Sequence, residues 1–311
     1  MLYKTYVFCF LLLIVFVLKA QTKESIYSFS LSNNVTITID EPVDIFTSRK
    51  AVKLILYALP NGNSTAQTMG KKMEVGDDWH FNIQHIKAQT QFLRNRLTNN
   101  NIVIAYLENS LKSWPAWKQQ NPNHLSEIKN IVDTIASLYR KPHIYLNGHS
   151  GGGSFIFGYL KSVLKIPKNI YRISFLDSNY GYDSTYTSKL VHWLKNKKHS
   201  LNIFAYNDSV ALYNEKPVVS ATGGTWYRSH LMLTHFSEFY SFNKTKDDSL
   251  TFYKSKNKRI QFFFKQNLDR KIYHTHQVEL NGFIHSILCG TPFDSKNYTY
   301  YGERAYSSLI Q

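Results

Sequence analysis

Residues 143–155 read His-Ile-Tyr-Leu-Asn-Gly-His-Ser-Gly-Gly-Gly-Ser-Phe (HIYLNGHSGGGSF), and this stretch decides how the rest of the chain is interpreted. An apolar segment runs directly into three consecutive glycines, and Ser150 stands between His149 and Gly151. Two interpretations fit such a pattern: a flexible Gly-rich turn, or a reactive serine mounted on a tight turn. The segments on either side distinguish between them.

The flanking segments place the serine between a strand and a helix. Residues 143–146 predict a strand, and apolar residues at helical spacing predict a helix over about 152–164. Gly148–Gly152 matches G-x-S-x-G, in which glycines relieve the clashes of a sharp turn. The serine would then lie at the carboxyl end of a strand, near a helix N-terminus that favours negative charge. We therefore predict that Ser150 is a nucleophile.

The rest of the chain alternates between apolar, strand-like runs and helical patterns. Strands are predicted at 26–31, 35–39, 52–59, 102–107, 143–146, 170–176, 201–206 and 259–264, and helices at about 83–97, 125–138, 152–164 and 185–194. The first two strands flank a Ser-Asn-Asn turn and predict an antiparallel hairpin. The alternation predicts one α/β domain over residues 21–311, with a mostly parallel central sheet and helices on both faces. Residues 209–258, which are rich in aromatics, form an insertion that could serve as a lid.

The N-terminus has the pattern of a secretory signal peptide. Lys4 precedes the apolar run Val7–Leu18, and Ala20 offers a small residue for cleavage. A membrane anchor is the alternative, but the run is short for a bilayer span. Removal of residues 1–20 lowers the net charge of +16 by two and leaves Cys289 as the sole cysteine. We expect a secreted or periplasmic protein without an internal disulfide.

The GHSGG turn in this setting resembles the α/β-hydrolase superfamily, and the resemblance extends over most of the mature chain. It implies a catalytic triad in the chain order serine, acid, histidine, with the acid and the histidine on loops after later strands. It also implies acyl transfer through an acyl-enzyme.

Three histidines follow the last predicted strand: His274, His276 and His285. His285 lies after Asn281-Gly282 and before an apolar pair, as in the terminal histidine loop of the superfamily. His274 and His276 alternate as in a strand, which favours a surface or packing role. The resemblance therefore favours His285 as the triad base.

Two aspartates are candidates for the triad acid. Asp208 follows the strand 201–206, the position that most members of the superfamily use. Asp177 ends the preceding strand, a position that a minority of lipase-like members use, and when buried it would need a partner such as an imidazole. We expect Asp208 to be the acid, with Asp177 as the alternative.

The remaining site residues are predicted from their loops. The oxyanion would be bound by the backbone N–H of Gly151 and by Asn61 or Gly62, which follow the third strand. Weaker candidates for substrate contact are His149, Gln84, Trp114 and Trp117. The two tryptophans flank a proline and suit a stacking wall, although packing within the loop is an equally good interpretation.

These observations predict an exported serine hydrolase of the carboxylesterase type, cleaving an ester of a small molecule or a polymer. No metal, cofactor or nucleic-acid partner is expected, nor stable membrane insertion after signal cleavage. A serine peptidase or amidase of the same fold is the alternative within enzymes, because leaving-group chemistry is not encoded in the triad. A secreted binding protein without chemistry is the alternative of another class.

Overall fold

A computed structural model of the chain describes residues 23–311, so the predicted signal peptide lies outside the described residues. In this part of the chain, no helix combines the length and the apolar character that crossing a bilayer requires.

Ten of the twelve strands in residues 23–311 form one sheet. In chain order the strands are β1 (Glu24–Leu31), β2 (Val35–Pro42), β3 (Ala51–Ala58), β4 (Asn100–Asn109), β5 (His143–His149), β6 (Ile170–Leu176), β7 (Ser200–Tyr206), β8 (Leu212–Tyr213), β9 (Lys216–Pro217), β10 (Phe242–Lys246), β11 (Leu250–Ser255) and β12 (Ile260–Lys265). The two-residue strands β8 and β9 pair only with each other.

The sheet has the order β1-β2-β4-β3-β5-β6-β7-β12-β11-β10. The six strands from β4 to β12 in this order are parallel. The strands β1 and β2 form the antiparallel hairpin that the sequence predicted, and β2 joins one edge of the sheet antiparallel to β4. At the other edge, β11 and β10 continue the sheet antiparallel to β12. The central strands are covered on both faces, which explains why their sequences are nearly continuous apolar runs.

Nine α-helices cover the two faces in residues 23–311. They are α1 (Thr65–Met69), α2 (Ile86–Arg96), α3 (Trp114–Gln120), α4 (His124–Ser137), α5 (Gly153–Ser162), α6 (Thr187–Leu194), α7 (Thr225–Ser237), α8 (His276–Glu279) and α9 (Gly282–Leu288). Helices α3 to α7 pack on one face and contribute to one apolar core. Helices α2, α8 and α9 pack on the other face and contribute to a second. The predicted α/β fold class, with helices on both faces, is therefore confirmed.

Much of the segment 209–258 is part of the α/β core. Its helix α7 buries Met232 and Phe236 in the core, and β10 and β11 extend the sheet. Part of the aromatic content of this segment is thus used in packing against the sheet, because an edge hairpin and its covering helix both need an apolar face, whereas Tyr213, Tyr227 and Phe239 are exposed.

The parallel strands bring several distant loops together. The carboxyl ends of β3, β5, β6, β7 and β12 lie along one edge of the sheet, because parallel neighbours point the same way. Open α/β sheets bind ligands outside this edge. The predicted nucleophile, both candidate acids and the segment that contains His274 all follow these strand ends.

Candidate active site

Ser150 lies on a sharp turn between β5 and α5, as its motif predicts. Its φ is +54°, in the left-handed region that non-glycine residues rarely adopt. The backbone passes so close to β3 that a Cβ on Gly152 would lie 2.1 Å from the carbonyl oxygen of Ala58. Only glycine fits there, so the glycines hold a strained turn that presents the serine. The alternative of a flexible Gly-rich turn does not fit this close packing.

The histidine that pairs with a carboxylate at this edge is His274. Its Nδ1 lies 2.5 Å from Oδ2 of Asp177, which follows β6 and is fully buried. Because a carboxylate only accepts hydrogen bonds, Nδ1 carries the proton and Nε2 is left as the basic nitrogen. Asp177, named as the alternative acid, therefore has the imidazole partner that its burial demanded. Its φ of +44° turns the carboxylate off the strand end.

His149, a weak candidate for substrate contact, instead contacts the loop that holds His274. Its Nε2 lies 3.1 Å from the carbonyl oxygen of His274, and the two rings lie 4.5 Å apart. Burial, and then the neighbouring His274, lower the pKa of His149 well below its usual value, so this ring is neutral. Since His149 directly precedes Ser150, this contact ties the His274 loop to the nucleophile turn.

In residues 23–311 no hydrogen bond joins Ser150 to His274. Catalytic hydrogen bonds in substrate-free enzymes are often long and tighten when substrate binds.

The prediction that His285 is the base is corrected by its surroundings. The residue lies within α9, its ring is stacked on Tyr300, and its Nδ1 lies 2.9 Å from the hydroxyl of Tyr298. Burial lowers its pKa to about 3. The Asn-Gly pair before it does not open an active-site loop: Asn281 precedes α9 and binds the C-terminal segment, donating to the carbonyls of Thr299 and Glu303. His285 is a core residue.

Asp208, the favoured acid, does not contact a histidine in the described structure. It accepts hydrogen bonds from the backbone N–H groups of Thr225 (2.7 Å) and Trp226 (3.3 Å), and so caps α7. The Thr225 hydroxyl lies between the two aspartates, 3.1 Å from Asp208 and in a short hydrogen bond with Asp177. The carboxylate of Asp208, which the superfamily pattern favoured as the acid, thus binds the unpaired N–H groups at the N-terminus of α7. Its role is to position Thr225, and through it Asp177.

The capping role makes a testable prediction about pH. Burial, and then the charge of Asp177, raise the pKa of Asp208 from 3.8 to about 6. A carboxyl whose pKa is higher in the folded than in the unfolded protein stabilises the fold. This contribution is fully present below about pH 4, where the group is protonated in both the folded and the unfolded protein. That contribution is lost as the pH rises through about 6.

We therefore expect the free energy of unfolding of wild type, relative to that of Asp208→Asn, to fall by on the order of 2–3 kcal/mol between pH 4 and 7. Denaturant unfolding of both proteins at intervals of pH measures this difference. A difference that does not change with pH would contradict the raised pKa.

The two oxyanion candidates after β3 differ in their hydrogen bonds. The N–H of Gly62 donates to the carbonyl of Lys112 at 2.8 Å, so it is not free to bind an oxyanion, and this prediction is corrected. The side chain of Asn61 lies directly over the nucleophile turn: a Cβ on Gly151 would be 1.9 Å from Asn61 Oδ1. Asn61 and Gly151 therefore remain the candidate donors beside Ser150.

A cavity of about 430 Å³ opens beside Ser150. Its lining residues come from four regions at the carboxyl edge of the sheet: Asn61; Pro115 and Lys118; Ser150, Gly151, Ser154 and Phe157; and Tyr180, Gly181 and Tyr186. A volume of this size suits a small ligand. Aromatic rings, hydroxyl groups, one amide and one cation line the cavity.

Three weak substrate candidates are corrected by burial. Trp114 and Trp117 are each about 1% exposed and meet edge to face, with ring centroids 5.4 Å apart. Gln84 is also buried and accepts a hydrogen bond from the hydroxyl of Tyr57 at 2.6 Å. None of the three lines the cavity. The tryptophans pack α3 against the core, which was the alternative interpretation of this segment.

Sequence reasoning missed most of the cavity wall and the bridging threonine. The residues concerned are Lys118, Ser154, Phe157, Tyr180, Tyr186 and Thr225. One signal could have identified His274: it is the first histidine after the last parallel strand, in a polar segment that is a loop and not the strand its His-Thr-His spacing suggested.

No protein-family model and no curated protein sequence matches the chain. Among solved structures the chain is similar to a thermostable esterase, with 14% identity and a TM-score of 0.45. The similarity covers 79% of this chain and 55% of the esterase chain. It is also similar to the siderophore hydrolase EstA from Aspergillus nidulans (10% identity, TM-score 0.43, 91% of this chain and 99% of that one). An IroE-like serine hydrolase from Shewanella oneidensis gives 14% identity and a TM-score of 0.44, over 84% of this chain and 77% of that one.

Proposed function

We propose that this protein is a serine hydrolase that cleaves carboxylic esters with the triad Ser150, His274 and Asp177. The observation that carries the proposal is the hydrogen bond between His274 and the buried Asp177, beside a serine on a strained strand–helix turn. A nucleophile, a base and a group that orients the base are the elements that acyl transfer requires.

The roles follow from the protonation states. Nε2 of His274 accepts the proton of the Ser150 hydroxyl as the oxygen attacks the ester carbonyl. Asp177 accepts the hydrogen bond from Nδ1–H and balances the charge of the imidazolium. Asn61 and the N–H of Gly151 donate to the oxyanion. His274 then gives its proton to the leaving alcohol, and water, activated in the same way, releases the acyl group from Ser150.

Esters are the favoured substrates, and a site for a peptide is not indicated. The cavity beside the serine is small, and residues 23–311 add no separate substrate-gating domain to the α/β core. We further propose that the protein acts after export, as the N-terminal pattern at residues 1–20 indicates. Determination of the N-terminus of the protein recovered from the producing cell, expected at Gln21, tests that part.

A fluorophosphonate probe tests the enzyme directly. We expect intact-mass analysis to find one adduct, lost in Ser150→Ala, because only a serine activated by a neighbouring base attacks such a probe. Ser154→Ala, which removes a hydroxyl from the same cavity, should still be labelled. Wild type that remains unlabelled and inactive on p-nitrophenyl esters would favour the non-catalytic binding protein.

A further inference from the structure

Helix α3 buries one face in the core and exposes a neighbouring face to the cavity beside Ser150. Trp114 and Trp117 are buried in the core, three residues apart. Pro115 and Lys118, with the same spacing, line the cavity beside Ser150. Residues three apart lie on one face of a helix, so the tryptophans that anchor α3 also direct Lys118 toward the cavity.

Lys118 is the only charged residue on the described cavity wall. Its side chain lies along α5, and its Nζ donates to the carbonyl oxygen of Ser154 at 3.2 Å. None of the ion pairs found in residues 23–311 includes it. Burial, and then Lys161, lower the pKa of Lys118, as expected for a cation without an anionic partner.

The chemistry of the triad indicates which part of the substrate lies in this cavity. The leaving alcohol receives a proton from the histidine and must therefore lie on its side of the serine. His274 does not line the cavity, whereas Asn61 and Gly151, the candidate oxyanion donors, do. The cavity therefore suits the acyl part of the ester. Phe157, Tyr180 and Tyr186 provide apolar walls for its chain.

We propose that the acyl group carries a carboxylate and that Lys118 binds it. This inference rests on the ester hydrolysis proposed above and names its substrate class: half-esters of dicarboxylic acids. Ser154, whose carbonyl oxygen accepts from Lys118, lies in the first turn of α5 and lines the same cavity as Ser150. An adipoyl group has four methylenes between its carboxyl carbons, which lie roughly 6 Å apart when the chain is extended.

Two matched substrates test the proposal. One is the mono-p-nitrophenyl ester of adipic acid, which is an anion; the other is its methyl ester, which is neutral and otherwise the same. The measured quantity is the ratio of kcat/KM for the anion to that for the neutral ester. We expect this ratio to be about 10 in wild type and to fall toward 1 in Lys118→Met.

Two further variants separate Lys118 from the general positive charge of the protein. Lys118→Arg should keep most of the preference, since the guanidinium is also a cation. Lys161→Met removes a nearby charge that does not line the cavity, and its ratio should stay within about twofold of wild type. High salt should lower the wild-type ratio.

The possible outcomes are distinct. A wild-type ratio near 1, or an unchanged ratio in Lys118→Met, overturns the role of Lys118 while the hydrolase remains. An equal fall in Lys161→Met and Lys118→Met also overturns it, because the preference would then come from the overall charge. Failure to hydrolyse either ester, together with no labelling of Ser150, refutes the proposed function itself.

Discussion

Replacement of His274 by alanine is expected to lower kcat on a p-nitrophenyl ester by on the order of 10⁶. Without the imidazole, nothing takes the proton from Ser150 as it attacks, and nothing activates the water that releases the acyl group. Ser150→Ala should lose about as much, and the double variant should lose little more, because the groups act as a unit. Initial rates on purified, folded protein measure the loss.

Two other histidines provide controls. His276→Ala removes the next histidine along the chain, whose ring packs on Tyr273, and should change kcat only a few-fold. His285→Gln should lower the free energy of unfolding, because the ring is packed in the core, while folded protein keeps its turnover. Near-normal activity in His274→Ala with a loss in His285→Gln would restore the base that the sequence favoured.

Asp177→Asn is expected to lower kcat by about 10⁴. Asparagine preserves the size of the side chain but removes the charge that balances the imidazolium. Its amide can also donate to Nδ1 and so favour the tautomer in which Nε2 carries the proton and cannot act as a base. Circular dichroism should be unchanged, and kcat measured across pH should show the loss at every pH.

Asp208→Asn is the matched control for this prediction. Asp208 contacts α7 and Thr225 but not His274, so its replacement should cost roughly tenfold or less, through a small shift of Thr225 and Asp177. A loss of 10⁴ in Asp208→Asn with a small loss in Asp177→Asn would move the acid to the strand that the superfamily pattern favoured. Small losses in both would argue against the triad.

The fold class and the turn that carries the proposed nucleophile could be predicted from the sequence because both depend on local patterns. Strand-like apolar runs alternate along the chain with segments in which apolar residues recur at helical spacing. This alternation indicates a parallel sheet with helices on both faces. The turn around Ser150 is specified by neighbouring residues, since the strand, the glycines and the helix are contiguous. No distant contact is needed to recognise it.

The partners of Ser150 depend on which distant loops meet, and here the sequence left alternatives that it could not resolve. Asp177 and His274 are 97 residues apart, and their pairing exists only because β6 and β12 lie in one parallel sheet with β7 between them. Asp208 has the position that the superfamily pattern favours, yet the N–H groups of α7 use its carboxylate. Which of two aspartates accepts from an imidazole is decided by what else surrounds each one.

The direction of a side chain was likewise decided only by tertiary packing. In α3, the tryptophans are the residues that suggest substrate stacking, but burial of large apolar rings is strongly favourable and draws them into the core. The same rotation of the helix leaves Lys118 on the cavity wall. The sequence by itself therefore determined the parallel part of the sheet and the turn at Ser150, which depend on local patterns. The pairing of the proposed base with the proposed acid and the lining of the cavity were decided by the tertiary structure, because each depends on competition among distant groups for burial and for hydrogen bonds.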